Sequence, residues 1–190
     1  MLLCDAGIFA EELRVRQMSP LEIKSLIVDV PDFPKPGIVF KDITPVLANP
    51  AAFGAVTDHL ARHAADIRCD GLLAIESRGF IIGAPLAQRL KLPLHLVRKR
   101  GKLPRAAITV RYELEYGFDH LEMHGDAVQR GGRYLIVDDL IATGGTAAAV
   151  ANVVSRHGGT VAACLFVVEL KFLAGREKLA GLPVVSLVTY

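Results

Sequence analysis

The sequence predicts an α/β fold in which a central parallel sheet is flanked by helices. Three apolar runs, at residues 71–75, 134–137 and 161–168, have the continuity that is typical of strands buried on both faces. A turn and a helix are expected after each of the first two runs, with one helix reaching about residue 90 and the other covering residues 147–154. This order indicates parallel pairing, because a parallel partner strand is reached only through a long crossover.

Local signals predict the elements near the N-terminus. Ser19 is expected to cap a helix that has Pro20 at its first position and continues through residues 21–28. Residues 30–42 are expected to be extended, because the three prolines in this stretch are incompatible with a helix interior. Residues 1–18 form an extension to which the sequence assigns no role.

The remaining elements follow from the same periodicity and breaker signals. With 190 residues, the chain is expected to form one domain. Further helices are predicted at residues 50–65 and 172–180, and further strands at residues 92–97, 109–112, 121–123 and 184–188.

Composition excludes several classes of protein. The formal net charge of +2 does not favour nucleic-acid binding, and no apolar run approaches the length of a membrane span. Acidic residues at 5, 11 and 12 interrupt any apolar leader, so no secretory signal is expected. Three widely spaced cysteines suit a reducing cytoplasm better than a disulfide framework, and six unclustered histidines predict no histidine metal site.

The stretch of residues 134–146 carries the strongest chemical signal. Its apolar run ends in two adjacent carboxylates, Asp138 and Asp139, and a turn rich in threonine and glycine leads into the helix. Backbone N–H groups at such a turn form a concavity suited to a phosphate, and the carboxylates are suited to ribose hydroxyls or a magnesium shell. The candidate ribose and 5-phosphate ligands are therefore Asp138, Asp139, Ala142, Thr143, Gly144, Gly145 and Thr146. The alternative is a buried strand followed by an acidic helix cap.

A second strand-to-helix turn occurs at residues 76–80, and Arg78 makes it a second candidate anion site. The run at residues 98–105 contains five basic side chains. Such a run is most often a solvated surface, and a nucleic-acid patch is another interpretation, although no aromatic interleaving supports it. Two bound phosphate groups explain the same charge locally.

Residues 134–146 resemble the phosphoribosyl diphosphate signature of the type I phosphoribosyltransferases. Further blocks, in order and spacing, narrow the resemblance to the adenine phosphoribosyltransferase family over about residues 20–190. These are Pro-Asp-Phe-Pro at 31–34, Pro-Gly-Ile-Val-Phe-Lys-Asp at 36–42, Ser-Arg-Gly-Phe at 77–80, Arg-Lys-Arg-Gly-Lys-Leu-Pro at 98–104, Leu-Glu-Tyr-Gly at 114–117 and Gly-Arg-Glu-Lys-Leu at 175–179.

The resemblance implies a type I phosphoribosyltransferase fold with a small N-terminal segment and a flexible β hood. The hood comprises about residues 98–125 and includes the catalytic loop. It implies transfer of a 5-phosphoribosyl group from phosphoribosyl diphosphate to adenine, giving AMP and diphosphate. It further implies Mg²⁺ held mainly through phosphoribosyl diphosphate and a homodimer. The expected partners are these small molecules, with no nucleic acid and no membrane, and the expected location is the cytoplasm.

The resemblance also assigns roles to individual residues. Glu115 is the expected catalytic residue, which transfers a proton at the purine. The expected diphosphate ligands are Glu76, Ser77, Arg78, Lys99, Lys102 and Tyr116. A non-proline cis peptide is expected between Glu76 and Ser77.

For adenine, the resemblance implies that Phe40 stacks on the purine, that the backbone of Val39 and Lys41 reads its edge, and that Leu170 covers the opposite face. Ordinary core positions are the alternative for Phe40 and Leu170. Adenine presents an amino donor beside an acceptor nitrogen, which match a backbone C=O and N–H, whereas a 6-oxo purine reverses this pair. Family members often carry Arg in place of Lys41, a change that matters little where the backbone does the reading.

Two other functions remain open at this stage. One is the same transfer to a 6-oxo purine. The other is a regulatory protein that senses phosphoribosyl diphosphate without catalysis, although such proteins usually add a DNA-binding segment or lack the catalytic loop.

Overall fold

The computed structural model describes residues 17–113 and 118–190. The described residues divide into two compact units, the first ending at Ala55 and the second running from Val56 to Tyr190. Predictions for residues 1–16 and for the loop at residues 114–117, including Glu115 and Tyr116, therefore lie outside the described residues.

The first unit begins with the predicted capped helix, α1 (Pro20–Leu26). The Glu22 N–H donates to the Ser19 hydroxyl at 3.3 Å, and the Ser19 N–H donates to the Glu22 carboxylate at 2.8 Å, which together form a capping box. The helix ends two residues earlier than predicted, because Val28 begins a strand. This strand, β1 (Val28–Pro31), pairs antiparallel with β2 (Val39–Asp42).

Two helices follow along the chain, a short α2 (Thr44–Ala48) and then α3 (Pro50–Ala64), which spans the boundary between the units. The predicted helix at residues 50–65 is therefore confirmed to within one residue. Among residues 17–113 and 118–190, no helix combines the length and the apolar character needed to cross a membrane.

The described part of the second unit contains one seven-stranded sheet in the order β5-β6-β4-β3-β7-β8-β9. Its strands are β3 (Gly71–Ile75), β4 (Leu94–Lys99), β5 (Ala107–Glu113), β6 (Phe118–His124), β7 (Arg133–Ile141), β8 (Thr160–Glu169) and β9 (Val184–Thr189). Strands β4, β3, β7, β8 and β9 are parallel, whereas β6 and β5 continue the sheet antiparallel within the hood. The predicted parallel sheet and two-stranded hood are confirmed.

Helices cover both faces of this sheet, as predicted. Gly83 of α4 (Arg78–Leu90) lies against Leu72 and Ala74 of β3. Leu73 and Ile75, which alternate with them along the strand, share a core cluster with Val150 and Val154 of α5 (Gly145–Arg156). Because successive strand residues point to opposite faces, α4 and α5 lie on opposite sides of the sheet.

Two predictions about local structure are wrong. Strand β7 does not end before the carboxylates but runs through Asp138 and Asp139 to Ile141, since β8 offers ladder partners along this length. The segment predicted as a helix at residues 172–180 instead forms two 3₁₀ turns, Lys171–Leu173 and Gly175–Leu179. Ala174 between them is left-handed, with a φ of 51°, which interrupts helical geometry.

Candidate active site

The site is built around two strand-to-helix turns that lie side by side. The first turn, residues 76–80, follows β3, and the second turn, residues 142–146, follows β7. These strands pair in parallel, with Ala74 opposite Val137, so both turns emerge at the same edge of the sheet. This edge is where open α/β sheets bind ligands.

Close backbone packing holds the two turns together. A Cβ at Gly79 would lie 2.9 Å from the carbonyl oxygen of Val137 and 2.9 Å from a carboxylate oxygen of Asp138. Only glycine lets the start of α4 approach β7 this closely. The Arg78 guanidinium then donates from Nε to the Asp139 carboxylate, which joins the first turn to the strand that leads into the second.

The first turn borders a cavity of ≈ 370 Å³, whose lining is polar. It is lined by Glu76, Ser77, Arg78, Lys99, Lys102, Asp138, Asp139 and Leu140. The structure thus brings together all the predicted diphosphate residues that it describes, beside the two carboxylates of β7. The peptide bond between Glu76 and Ser77 is cis, as predicted.

Glu76 organises the basic side of this cavity. Its carboxylate accepts hydrogen bonds from the Lys99 N–H at 2.8 Å and from the Lys102 ammonium at 2.5 Å, and Arg98 Nε lies 3.4 Å away. Burial by itself would raise the pKa of Glu76, but these hydrogen bonds and charges outweigh it and hold the pKa below its ordinary value. Glu76 therefore helps to position the basic groups of this cavity, and its predicted role as a diphosphate ligand stays a prediction.

The second turn encloses a smaller cavity of ≈ 90 Å³. It is lined by Asp138, Leu140, Ile141, Ala142, Thr143, Gly144, Gly145, Thr146, Ala147 and Phe166. Helix α5 begins here, with left-handed Gly144 (φ 73°) as its N-cap and Gly145 as its first residue. The N–H groups of a helix N-terminus favour an anion, so this small cavity suits one phosphate group.

Asp138 and Leu140 line both cavities, which makes the two cavities neighbours along β7. The Asp139 N–H donates to the Asp138 carboxylate at 2.9 Å, and Asp139 itself is only 4% exposed. Burial, and secondarily the adjacent charge of Asp139, raise the pKa of Asp138 well above its ordinary value. Asp138 is therefore a carboxylate whose charge is poorly solvated and which would gain from hydroxyl donors.

Three of the predicted adenine residues, Val39, Phe40 and Lys41, belong to the first unit, and Leu170 belongs to the second. In the first unit, Phe40 packs edge to face against Phe33 with ring centroids 5.2 Å apart, and Val39 is 47% exposed. The Lys41 ammonium lies 2.6 Å from the Asp29 carboxylate, an ion pair across the β1–β2 hairpin. In the second unit, Leu170 is buried, and its N–H donates to the Ile141 carbonyl at 3.0 Å.

The donor set of the site bears on a metal ion. Within residues 17–113 and 118–190, no three His, Cys, Asp or Glu side chains are grouped to hold a metal. The carboxylates that line the larger cavity, Glu76, Asp138 and Asp139, are already engaged with protein donors. This arrangement fits a Mg²⁺ ion that keeps substrate oxygens and water as ligands, which is its ordinary preference.

Sequence reasoning missed four residues that line the cavities: Leu140, Ile141, Ala147 and Phe166. Leu140 and Ile141 lie between predicted ligands inside the motif, and Ala147 directly follows it, so their position in the sequence was an available signal. Phe166 lies in the apolar run of β8, opposite Asp138 in the strand register. Nothing in the sequence distinguishes it from its buried neighbours.

Comparison with known proteins supports the resemblance to phosphoribosyltransferases. A family model for the phosphoribosyl transferase domain matches residues 42–180. The adenine phosphoribosyltransferase of Carboxydothermus hydrogenoformans is 52% identical over 170 residues, covering 90% of this chain and 100% of that relative.

Solved structures agree with both the fold and the family. Adenine phosphoribosyltransferase from Thermoanaerobacter pseudethanolicus is 50% identical, with a TM-score of 0.88 over 90% of this chain and 100% of that one. The Saccharomyces cerevisiae enzyme, complexed with adenine and an imino-altritol bisphosphate, is 39% identical, with a TM-score of 0.82 over 88% and 97%. The chain therefore belongs to the phosphoribosyltransferase family, among its adenine phosphoribosyltransferases.

Proposed function

We propose that the protein transfers the 5-phosphoribosyl group of phosphoribosyl diphosphate to adenine, giving AMP and diphosphate. The observation that carries this proposal is the pair of neighbouring cavities sharing Asp138 and Leu140. The larger one is lined by basic side chains and suits a diphosphate, and the smaller one suits a single phosphate. A ribose with both groups attached spans them, with its diol at the carboxylates of β7.

Each cavity supplies a different part of substrate binding. Arg78, Lys99 and Lys102 neutralise the diphosphate, while Ser77 adds a hydroxyl donor. The turn of residues 142–146 holds the 5-phosphate through backbone N–H groups and the Thr143 and Thr146 hydroxyls. Asp138 and Asp139 accept hydrogen bonds from the ribose 2- and 3-hydroxyls, which orients the anomeric carbon.

Binding at both ends prepares the bond that breaks. As the bond from the anomeric carbon to diphosphate lengthens, the sugar becomes cation-like, and adenine N9 attacks the same carbon. Glu115 transfers a proton at the purine, which loses its N9 proton as the new bond forms. Tyr116 contacts a phosphate as the hood loop closes. Closure excludes water, which would otherwise capture the reactive sugar.

The purine is selected by hydrogen-bond polarity. The backbone C=O and N–H beside Phe40 match the amino donor and the acceptor nitrogen of adenine, while Phe40 and Leu170 cover the ring faces. A 6-oxo purine reverses the donor and acceptor, which leaves buried polar groups unpaired at about 1–3 kcal/mol each. The Lys41 side chain is occupied by Asp29, which supports reading by the backbone of Val39 and Lys41 rather than by that side chain.

Mg²⁺ belongs to this proposal as an ion that enters with phosphoribosyl diphosphate. When bound, it neutralises charge on the leaving diphosphate. The side chains that line the larger cavity would bind and orient the diphosphate with which the ion enters.

The biological setting that we propose follows from the proposed reaction and from the family resemblance. Forming AMP directly from adenine is purine salvage, and the cytoplasm is the proposed location. A homodimer is proposed from the resemblance, with neither a nucleic acid nor a membrane as partner.

The decisive assay is steady-state turnover with adenine, hypoxanthine and guanine, each with phosphoribosyl diphosphate and Mg²⁺. We expect kcat/KM to favour adenine by at least about tenfold, which one unpaired buried polar group accounts for. Preference for a 6-oxo purine would refute the proposed reading of the purine edge. Binding of phosphoribosyl diphosphate without turnover of any purine would instead favour a sensing protein.

The role of Glu115 needs its own variant. Glu115→Ala is expected to lower kcat by about 100-fold, within the range for general acid–base catalysis, with phosphoribosyl diphosphate affinity retained. Glu177→Ala, at an exposed position outside both cavities, is the control. Undiminished turnover in Glu115→Ala would remove Glu115 from the mechanism.

A further inference from the structure

The Gly-Arg-Glu-Lys-Leu block at residues 175–179 has no role in the proposed reaction, although it is one of the most recognisable parts of the sequence. In the structure it forms the second 3₁₀ turn after β8. It contributes no residue to the lining of either cavity. Its backbone nevertheless lies directly against the second turn.

Contact between Gly175 and residues 142–146 is as close as two backbones allow. A Cβ at Gly175 would overlap the Ala142 carbonyl oxygen and would lie 2.9 Å from the Gly144 nitrogen. A Cβ at Gly144 would overlap the Gly175 carbonyl oxygen in return. Neither residue can move toward the other, so the position of Gly175 fixes one side of the phosphate-binding turn.

An ion pair adjacent to Gly175 fixes that position. Arg176 donates from Nε to one Glu169 carboxylate oxygen at 2.6 Å and from Nη2 to the other at 2.7 Å, a bidentate geometry. Arg176 Nη1 also donates to the Val184 carbonyl at 2.8 Å. One side chain therefore ties the 3₁₀ turn to the ends of two parallel strands.

Glu169 provides a rigid anchor for this contact. It ends β8, is opposite Ile141 in the strand register, and is only 5% exposed. The hydrogen bond from Arg176 lowers the pKa of Glu169 below its ordinary value, and burial opposes this only partly. The carboxylate is thus ionised, and it lies one residue along the ladder from the start of the second turn.

We propose that Glu169 and Arg176 are positioning residues for the 5-phosphate, acting through Gly175 on the backbone of residues 142–146. This inference rests on the proposed function, since it assumes that the second turn binds the 5-phosphate. Backbone N–H donors cannot adjust individually as side chains do. Their affinity for phosphate therefore depends on the placement of the whole turn.

The ion pair acts on one cavity only, which gives the experiment its readout. Ribose 5-phosphate probes the second turn, and inorganic diphosphate with Mg²⁺ probes the larger cavity. Arg176→Lys keeps the charge but loses the bidentate geometry. We expect it to raise the dissociation constant for ribose 5-phosphate about tenfold. The dissociation constant for diphosphate should stay within about twofold of that of the parent protein.

Steady-state kinetics adds a second readout, with KM for phosphoribosyl diphosphate rising more than kcat falls. Arg89→Lys is the matched control, because Arg89 makes an exposed ion pair with Asp58 at 3.1 Å, outside both cavities. It should leave both dissociation constants unchanged. A purely structural role for Arg176 predicts equal weakening of both probes, and that result would overturn the inference.

A paired variant guards against misfolding, because a lone buried carboxylate is unstable. Replacing both partners, Glu169→Leu with Arg176→Met, removes the charges together and is compatible with a folded protein. This variant should bind ribose 5-phosphate more weakly than the parent protein does, and it should bind diphosphate as tightly as the parent protein does. Parent-like binding of ribose 5-phosphate by both variants overturns the positioning role alone. Failure of the parent protein to bind ribose 5-phosphate overturns the phosphate assignment as well.

Discussion

The two turns of the site present their binding groups in different ways. The first turn collects charged side chains from separate segments, with Arg78 from the start of α4 and Lys99 and Lys102 from the hood. The second turn, residues 142–146, has no charged side chain of its own and offers backbone, hydroxyl groups and a helix N-terminus. Under the proposed function, the diphosphate would therefore contact charged side chains, whereas the 5-phosphate would contact backbone groups in a fixed arrangement.

This difference predicts opposite sensitivities. Long side chains can follow a ligand that shifts, so the larger cavity should tolerate small displacements and depend on its charges. A backbone turn cannot follow, so the smaller cavity should tolerate changes of charge nearby and depend on its shape. Substitutions confined to one half of the site should therefore separate these two dependences.

Gly144→Ala tests the geometric half. A methyl group there would overlap the Gly175 carbonyl oxygen, and the left-handed φ of 73° adds strain. Because the turn must shift, we expect KM for phosphoribosyl diphosphate to rise about 100-fold, which is the cost of misplacing binding groups by about 1 Å. Diphosphate affinity should change little, as measured by calorimetry.

Gly131→Ala is a matched control for that variant. Gly131 has a similar φ of 80° but no atom within 4 Å of an added Cβ. It carries the same backbone strain without the collision. If Gly131→Ala were as damaging as Gly144→Ala, strain or global instability would explain the loss, and the comparison of the two turns would fail.

Lys102→Gln tests the charged half. Removing one cation from the larger cavity should raise the dissociation constant for magnesium diphosphate about tenfold, the range of a hydrogen bond to a charged group. Affinity for ribose 5-phosphate should remain within about twofold. Arg105→Gln is the control, because Arg105 belongs to the same basic run but pairs with Asp126 at 2.9 Å and does not line this cavity.

Local sequence was sufficient to predict both turns. An apolar run, then small or hydroxyl residues, then a helix former specifies a strand-to-helix turn within about ten residues, and the parallel sheet follows from repeating that order. Local sequence did not predict the ion pairs of the site, because these join residues that are far apart in the chain. The pairs Arg78–Asp139 and Glu76–Lys102 join positions separated by 61 and 26 residues.

The helix wrongly predicted at residues 172–180 has the same cause, namely contacts between residues that are far apart in the chain. Its sequence has ordinary helical propensity, but contact of Gly175 with residues 142–146 and pairing of Arg176 with Glu169 select 3₁₀ turns instead. Tertiary contacts therefore override propensity where a segment supports the site. The predictions for Glu115 and Tyr116 remain predictions.

Glu76→Gln tests the charged half of the site in the opposite direction, because the Glu76 carboxylate is a counter-charge within that half. The Glu76 carboxylate accepts a hydrogen bond from the Lys102 ammonium. An incoming diphosphate competes with this carboxylate, whereas the second turn holds no equivalent competitor. Gln keeps an acceptor for the Lys99 N–H but removes the negative charge. We therefore expect diphosphate to bind about threefold more tightly, with ribose 5-phosphate unchanged.

That variant has a pH signature as well. Because the pKa of Glu76 is lowered, the carboxylate stays ionised throughout the neutral range. The difference between Glu76→Gln and the parent protein should therefore be constant between about pH 6 and 8. A difference that vanishes within this range would mean that Glu76 is not the charge responsible.

Asp138 lines both cavities, and its replacement should change stability only modestly. Its pKa in the folded protein is raised by burial and by Asp139, so its charge opposes folding at neutral pH. Asp138→Asn should raise Tm of the unliganded protein by about 2–4 °C at pH 7. The gain should shrink as the pH falls through the raised pKa, and vanish below about 3.9, where unfolded Asp is also protonated.

Asp126→Asn provides a control of opposite sign. The hydrogen bond from Arg105 lowers the pKa of Asp126, so its charge favours folding above its unfolded pKa, and removing it should not raise Tm. Asp138→Asn should also weaken ribose 5-phosphate binding, since the diol loses an ionised acceptor. A variant that is both less stable and weaker in binding would show that Asp138 is structural. One that is more stable and weaker in binding would show that the site holds this charge for its ligand.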